Sequence, residues 1–306
     1  MRTRPGTLTH ISLLWSAVVA ILLSLTACGP GDAKKPRKQP KPTAAARETP
    51  RPGDQKVTMT WDGKKRVYRV HAPPGYTPDK KLPLIVAMHP YPSTGEFVTK
   101  LSGLNKKADK ANLLVAYPDG IDLGYNALSC CGDEDDVGFI RAMTKRLVDK
   151  WKAEPDRVYA TGISNGADMS FKVAVELHDV FAAVAPVSGA YSGPATQDAA
   201  YIPRTPVPVM TFIGGLDRIY DTADTAIKSW EKRLACKGSP PQKLMEEITR
   251  THAKCADTSE VVTYRIPNMG HNWPGAEPGD MAEPEAGVNA TDLMVEFFTS
   301  HPKQRS

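Results

Sequence analysis

Val158-Tyr159-Ala160-Thr161-Gly162-Ile163-Ser164-Asn165-Gly166-Ala167 decides the reading of this chain. A β-branched and aromatic run enters Gly162-x-Ser164-x-Gly166, and a helical pattern continues from Ala167 to Leu177. Strand, sharp turn and helix are the context in which a nucleophile elbow lifts a serine hydroxyl to the top of a sheet. Such a turn is strained, so the residues two before and two after the serine must be small, and both are Gly. The same turn leaves the Asn165 N–H at a helix N-terminus, where an oxyanion can bind. Patterns of three fixed positions in five recur by chance, so the partners have to come from the rest of the chain.

Outward from this point, strands and helices alternate. Val57–Trp61 and Arg66–His71 read as two strands joined at Asp62-Gly63, a hairpin signal. Leu82–Met88 is an unbroken apolar run ending at His89-Pro90-Tyr91-Pro92, as expected of a strand buried on both faces. Phe97–Lys110 reads as one helix, Leu113–Tyr117 as a buried strand, and 118–134 as a Gly/Asn/Cys-rich loop. Val137–Trp151 carries Val137, Ile140, Leu147, Val148 and Trp151 on one helical face. Pro155-Asp156 breaks the pattern before the elbow strand, 157–162. Beyond the elbow, Phe181–Val187, Val207–Ile213 and Val261–Ile266 are strands, and Thr222–Ala235 and Val288–Thr299 are helices. After the opening hairpin this is βα spacing, which implies one α/β domain with a mostly parallel sheet covered on both faces.

In such a domain, chemistry collects at the carboxyl ends of the strands. Ser164 follows the elbow strand, Asp217 follows the strand Val209–Ile213 in Gly214-Gly215-Leu216-Asp217, and His271 follows the last strand in Gly270-His271-Asn272-Trp273-Pro274-Gly275. A serine hydroxyl is a poor nucleophile unless a neutral imidazole takes its proton. A carboxylate must then fix the imidazole tautomer and stabilise the imidazolium. The order Ser…Asp…His matches the α/β-hydrolase arrangement. The other histidines lie in the leader, the early strand, after the elbow helix, between two Cys, or in the tail. Asp221 and Asp224 compete with Asp217 but read as charges at a helix N-terminus. The second oxyanion donor is expected from the loop after the early strand. Pro90 and Pro92 have no N–H there, so Tyr91 is the donor, with His89 beside it lining the substrate pocket. Trp273 reads either as an apolar wall for the substrate or as a packed core residue.

The chain has 306 residues, 41% of them hydrophobic, enough for one large domain plus a leader or for two small domains. Arg2 and Arg4 precede an apolar run from Ile11 to Leu25, then Leu25-Thr26-Ala27-Cys28. The run is shorter than the roughly 20 residues that a spanning helix needs, so residues 1–27 read as a secretory signal peptide. Leu-Thr-Ala-Cys resembles the lipobox of bacterial lipoproteins, which implies lipidation at Cys28. That places the protein on the extracytoplasmic face of the cell membrane, with release to the exterior as the alternative. Residues 29–56 hold six Pro, eight Lys/Arg and three Asp/Glu with no aromatic residue, the composition of a disordered tether. The folded domain is then expected at 57–302. Residues 57–306 hold 29 basic and 31 acidic groups, a net of −2, so leader and tether together carry the +7 that makes the overall charge +5. A domain without basic excess gives no support to nucleic-acid binding.

Cys130, Cys131, Cys236 and Cys255 remain, and an even count outside the cytoplasm favours disulfides. The preferred pairing joins Cys236 to Cys255, leaving a vicinal Cys130–Cys131 bond. Two free or metal-binding thiols are the alternative, but Cys-Cys lacks the C-x-x-C spacing of a zinc site, so no metal is expected.

Three blocks carry a family resemblance: Gly162-Ile163-Ser164-Asn165-Gly166, Gly270-His271-Asn272-Trp273-Pro274-Gly275, and Cys130-Cys131-Gly132 followed by Asp135-Asp136-Val137-Gly138-Phe139. Over residues 57–300 the chain resembles bacterial secreted esterases of the polyhydroxybutyrate-depolymerase and feruloyl-esterase-like group. The resemblance implies an α/β-hydrolase fold, no cofactor, and hydrolysis of carboxylic esters such as hydroxyalkanoate oligomers, feruloylated or acetylated sugars, and short-chain esters. Two departures stand out. The usual His-Gly after the early strand is His89-Pro90, which removes an N–H. The usual Gly-Gly-Met after the elbow is Gly166-Ala167-Asp168-Met169, which puts a carboxylate one turn past the serine, where its charge acts on His271 or faces solvent. The leading expectation is a membrane-tethered serine esterase with an acyl-enzyme intermediate. A weakly active surface lipoprotein serving adhesion or ligand binding is the alternative, and a peptidase on the same scaffold is a third. Oligomeric state is not legible in the residues.

Overall fold

A computed structural model describes residues 49–245 and 247–303. The expected signal peptide, Cys28 and residues 29–48 of the tether lie outside the described residues. Strands β1 (Gly53–Trp61) and β2 (Lys64–Ala72) form the opening hairpin. Asp62 and Gly63 both take positive φ, 48° and 69°, the geometry that a two-residue loop between twisted strands requires. Pairing runs from Gly53↔Ala72 to Trp61↔Lys64. β1 thus begins at Gly53, ahead of the expected domain start at Val57.

β3 (Leu82–Met88) is fully embedded. Leu84, Val86 and Met88 enter one hydrophobic core while Ile85 and Ala87 enter the other, as side chains of period two must when both faces are covered. The remaining central strands are β4 (Leu114–Pro118), β5 (Ala153–Ile163), β6 (Ala183–Val187) and β7 (Val209–Gly214). β5 starts earlier than the residues suggest. Its pairing with β3 jumps from Leu82↔Ala153 to Leu84↔Val158, so Pro155-Asp156 is absorbed as an irregularity in the strand instead of ending it. Further on come β8 (Lys237–Gly238), β9 (Gln242–Lys243), β10 (Thr249–Lys254) and β11 (Glu260–Ile266). The sheet order is β1-β2-β4-β3-β5-β6-β7-β11-β10-β8, with β9 also on β10. Pairing is parallel from β4 to β11 and antiparallel at both edges.

One departure concerns the segment 97–110. It forms two helices, α1 (Gly95–Ser102) and α2 (Leu104–Ala111), because Gly103 between them takes φ 63°. Both halves bury the same face through Val98, Leu101, Leu104 and Ala108, so the periodicity runs on across the break. α3 (Asp136–Trp151), α4 (Asn165–Glu176) and α5 (Tyr220–Arg233) cover the other face, with Phe139, Trp151, Phe171 and Trp230 fully packed. Each such side chain contributes about 1.5–3 kcal/mol by leaving water. α6 (Ala290–Ser300) closes the face already occupied by α1 and α2, stacking Phe298 on Tyr159.

Both expected disulfides are present, Cys130–Cys131 and Cys236–Cys255. The second joins residues 19 apart and contributes about 3 kcal/mol by the loop-entropy argument. No helix among the described residues is long and apolar enough to cross a membrane. No group of three or more His, Cys, Asp or Glu side chains among them is arranged to hold a metal ion.

Candidate active site

The elbow forms where β5 turns into α4. Ser164 sits there at φ 57°, ψ −121°, a backbone state costing of order 1–3 kcal/mol that only a well-braced turn sustains. The bracing is close packing. A Cβ on Gly166 would lie 2.2 Å from the Met88 carbonyl oxygen and 2.8 Å from that of His89, so only Gly lets the helix start press against the end of β3. The Ser164 N–H donates to Val187 O, and its carbonyl accepts from Ala167 and Asp168. Ser164 is half-buried, and Asn165, next in the chain, opens α4 with an N–H that has no acceptor within the helix.

Asp217 and His271 meet because two loops zip together. The Gly215 N–H donates to Ile266 O, and Leu216 N–H to Met269 O. A Cβ on Gly214 would lie 2.4 Å from the carbonyl oxygens of both Met269 and Gly270. This approach sets Asp217 Oδ2 2.7 Å from His271 Nδ1, while Asp217 Oδ1 accepts the Ile219 N–H at 3.1 Å. A carboxylate accepts only, so His271 Nδ1 is the donor of this bond, and in the neutral tautomer Nε2 is the ring nitrogen left to accept a proton. That Nε2 is buried and without a hydrogen-bond partner. Asp224 is engaged elsewhere, by Arg265 and Lys228. The His271 loop also reaches the elbow, since Ser188 Oγ–H donates to Asn272 O at 2.9 Å, one residue past the Val187 that receives the Ser164 N–H.

Asp168 faces inward and not toward solvent. It is 8% exposed, and it accepts from the Ala190 N–H at 2.9 Å and from Ser129 Oγ. Burial raises its pKa to about 6, partly offset by those two hydrogen bonds and by the charge of His271. A carboxyl raised in this way favours the folded state when protonated. Its contribution is complete below the unfolded value near 4 and is lost as pH rises through 6, about 3 kcal/mol in all. Asp168→Asn is therefore expected to be more stable than wild type at pH 7 and to close that gap by pH 4. Urea midpoints between pH 4 and 8 measure this, and parallel profiles for the two proteins would refute it.

Tyr91, expected as the second oxyanion donor, lies two residues past His89, whose carbonyl abuts Gly166 together with that of Met88. Its peptide bond to Pro92 is cis and its side chain is 53% exposed. Neither of the two residues weighed for the substrate pocket is exposed. His89 is fully buried, with Nδ1 donating to Pro90 O at 2.8 Å and Nε2 accepting the Gly120 N–H at 2.9 Å. Burial lowers its pKa, and it serves as a neutral brace between two loops. Trp273 is also fully buried and donates its Nε1–H to Thr291 Oγ1. It is a core residue that anchors the His271 loop through the short pairing of β12 (Trp273–Pro274) with β13 (Ala282–Glu283).

Several structurally decisive residues carried little signal in the sequence. Asp136 forms a buried ion pair with Arg66 and accepts the Asn126 N–H at 2.7 Å, tying down the loop beside the elbow. Asp135 caps α3 by accepting the Gly138 N–H. Tyr125 holds Asn165 by backbone contacts and donates its hydroxyl to Pro118 O. Only the Asp-Asp-Val-Gly-Phe block hinted at any of these.

Residues 66–202 match the family described as Esterase PHB depolymerase. The chain is 31% identical to NocK of Nocardia uniformis subsp. tsuyamanensis, an esterase by name, over 92% of this chain and 96% of that protein. It is 28% identical to Feruloyl esterase B of Piromyces equi, over 66% of this chain and 42% of that protein. Among solved structures, the acetyl xylan esterase from Aspergillus awamori superposes with TM-score 0.60 at 16% identity, over 81% of this chain and 99% of that one. At that identity the likeness speaks for the fold, a mostly parallel sheet with flanking helices of the α/β-hydrolase kind.

Proposed function

The chain belongs to the Esterase PHB depolymerase family and is a carboxylic-ester hydrolase, and we propose that it works through Ser164, His271 and Asp217 by way of an acyl-enzyme. The observation that carries this reading is His271, whose Nδ1 is held by Asp217 while Nε2 is buried and unpaired, on a loop that hydrogen-bonds Ser188 next to the Val187 carbonyl that accepts the Ser164 N–H. His271 Nε2 takes the proton of Ser164 Oγ as the oxygen adds to the ester carbonyl. Asp217 stabilises the imidazolium that results, and the charge of Asp168 acts in the same direction. The N–H groups of Asn165 and Tyr91 receive the oxyanion. Collapse of the tetrahedral adduct expels the alkoxide, which takes the proton from His271. Water then repeats the cycle on the acyl-serine and releases the acid.

Substrates are short-chain, hydroxyalkanoate or feruloyl-type esters, supported by the family description and by the feruloyl esterase relative. Lipidation at Cys28 and a Pro/Lys-rich tether hold the domain at the extracytoplasmic face of the membrane. A fluorophosphonate probe tests the catalytic reading. One equivalent per chain is expected, mapped by mass spectrometry to Ser164, together with turnover of p-nitrophenyl acetate and butyrate but not of a peptide anilide. An unlabelled protein, or an adduct on another residue, removes the assignment; faster anilide hydrolysis would make it a peptidase.

A further inference from the structure

Three parts of the site converge on one irregular loop, residues 124–131. The Asn165 side chain is gripped by it, with Oδ1 accepting the Tyr125 N–H at 2.9 Å and Nδ2 donating to Tyr125 O at 3.1 Å. Nδ2 also lies 3.4 Å from Cys130 O and 3.7 Å from Cys130 Sγ. Ser129 Oγ–H donates to Asp168, one turn further along α4. On the other side, the Tyr91 ring and Cys131 pack against the same face of Gly124, where a Cβ would lie 2.7 Å from Tyr91 Cδ2 and 3.1 Å from Cys131 Cβ. The Ser93 N–H donates to Leu123 O at the start of the loop. Both segments that carry oxyanion donors, the elbow and the Tyr91 loop, are thus set against one short stretch of chain.

That stretch is closed by the Cys130–Cys131 disulfide. Cys130 is exposed and Cys131 half-buried, so the sulfurs fill no core. Adjacent residues also close almost no chain loop, and the entropic stabilisation that grows with loop length is small. What the bond restricts is local: the backbone at 130–131, and with it the Cys130 carbonyl that meets both the Ala127 N–H at 2.9 Å and Asn165 Nδ2. We propose that the Cys130–Cys131 disulfide is a positioning element of the hydrolytic reaction. It holds the 124–131 loop in the shape that grips the Asn165 side chain and so keeps the Asn165 N–H aimed at the oxyanion. The inference rests on the serine-esterase reading given above.

The test uses Cys130→Ser/Cys131→Ser, Asn165→Ala (which keeps the backbone N–H) and their combination, all on full-length protein. The disulfide variant is expected to lose roughly 10–100-fold in kcat, the scale of a small misplacement at a reacting centre. KM should stay within about threefold and Tm within about 3 °C, because little packing or loop entropy is removed. Asn165→Ala should show the same loss, and the combination should lose less than about threefold more, since both act through one contact. The rate of fluorophosphonate labelling should fall in parallel with kcat. A disulfide variant within twofold of wild-type kcat overturns the proposal, as does full multiplication of the two losses. A variant that fails to fold, or whose activity loss only tracks its unfolded fraction, overturns it too, because the bond would then serve the fold. Wild type that neither labels nor turns over esters defeats the esterase reading itself; active wild type with unaffected variants defeats the positioning role alone.

Discussion

Ser164→Ala is expected to lower kcat for p-nitrophenyl acetate by about 10⁴-fold or more while leaving the fold intact. The magnitude follows from the two-step chemistry. Without Oγ no acyl-enzyme forms, and what remains is the oxyanion donors and binding acting on direct attack by water, a residual about 10³–10⁴ above the uncatalysed rate. Stability should change by no more than about 0.5 kcal/mol, because the side chain is half-buried and Ala carries the same Cβ through the strained φ of 57°. KM should move little, since the hydroxyl reacts more than it binds. Steady-state kinetics beside a thermal melt measure both quantities. Activity within tenfold of wild type, on a correctly folded variant, would place the chemistry at another residue.

The largest effect on stability is expected at Asp136→Ala. Arg66 and Asp136 are 2% and 1% exposed, and the Arg66 guanidinium lies 3.9 Å above the Phe139 ring. Removing the carboxylate leaves a guanidinium buried without its counter-charge, which costs about 3–5 kcal/mol. It also orphans the Asn126 N–H. For a domain whose total stability is about 5–15 kcal/mol, that is a large fraction, and the melting temperature should fall by roughly 10–15 °C. Arg66→Met/Asp136→Leu should recover most of the loss, because replacing both partners removes the uncompensated charge. Denaturant titration of the three proteins measures this. A single variant that costs less than about 1 kcal/mol would show that water reaches Arg66 in its place.

Much of the sheet was legible because buried parallel strands leave a plain trace. Leu82–Met88 has the same limits in the sequence reading and in the structure, since a strand covered on both faces must be apolar at every position. β10 left no such trace. Thr249–Lys254 lies one strand in from the edge, beside only the two-residue strands β8 and β9; its side chains are mostly half-exposed, and its place is set by antiparallel pairing with β11. The break at Gly103 was hidden for a related reason: α1 and α2 bury one continuous face, so the period survives although the backbone does not.

The same division runs through the site. Gly162, Ser164 and Gly166 declare the elbow, because only glycine fits where the Met88 and His89 carbonyls press on the turn. Chain order and strand ends single out Asp217 and His271, and the loops do bring them to hydrogen-bonding distance. These are local requirements, and local requirements are written in residue types. The fates of His89, Trp273 and Asp168 are not. Each is polar or amphipathic, able to face a pocket, a core or water, and the choice depends on what lies opposite: Gly120 for His89, Thr291 for Trp273, Ala190 and Ser129 for Asp168. Those partners are about 18 to 39 positions distant in sequence. The sequence by itself determined the buried parallel strands, the elbow and the candidates for the reacting groups. Only the tertiary structure decided which polar side chains brace the site from within, because a buried polar atom is defined by the partner that satisfies it.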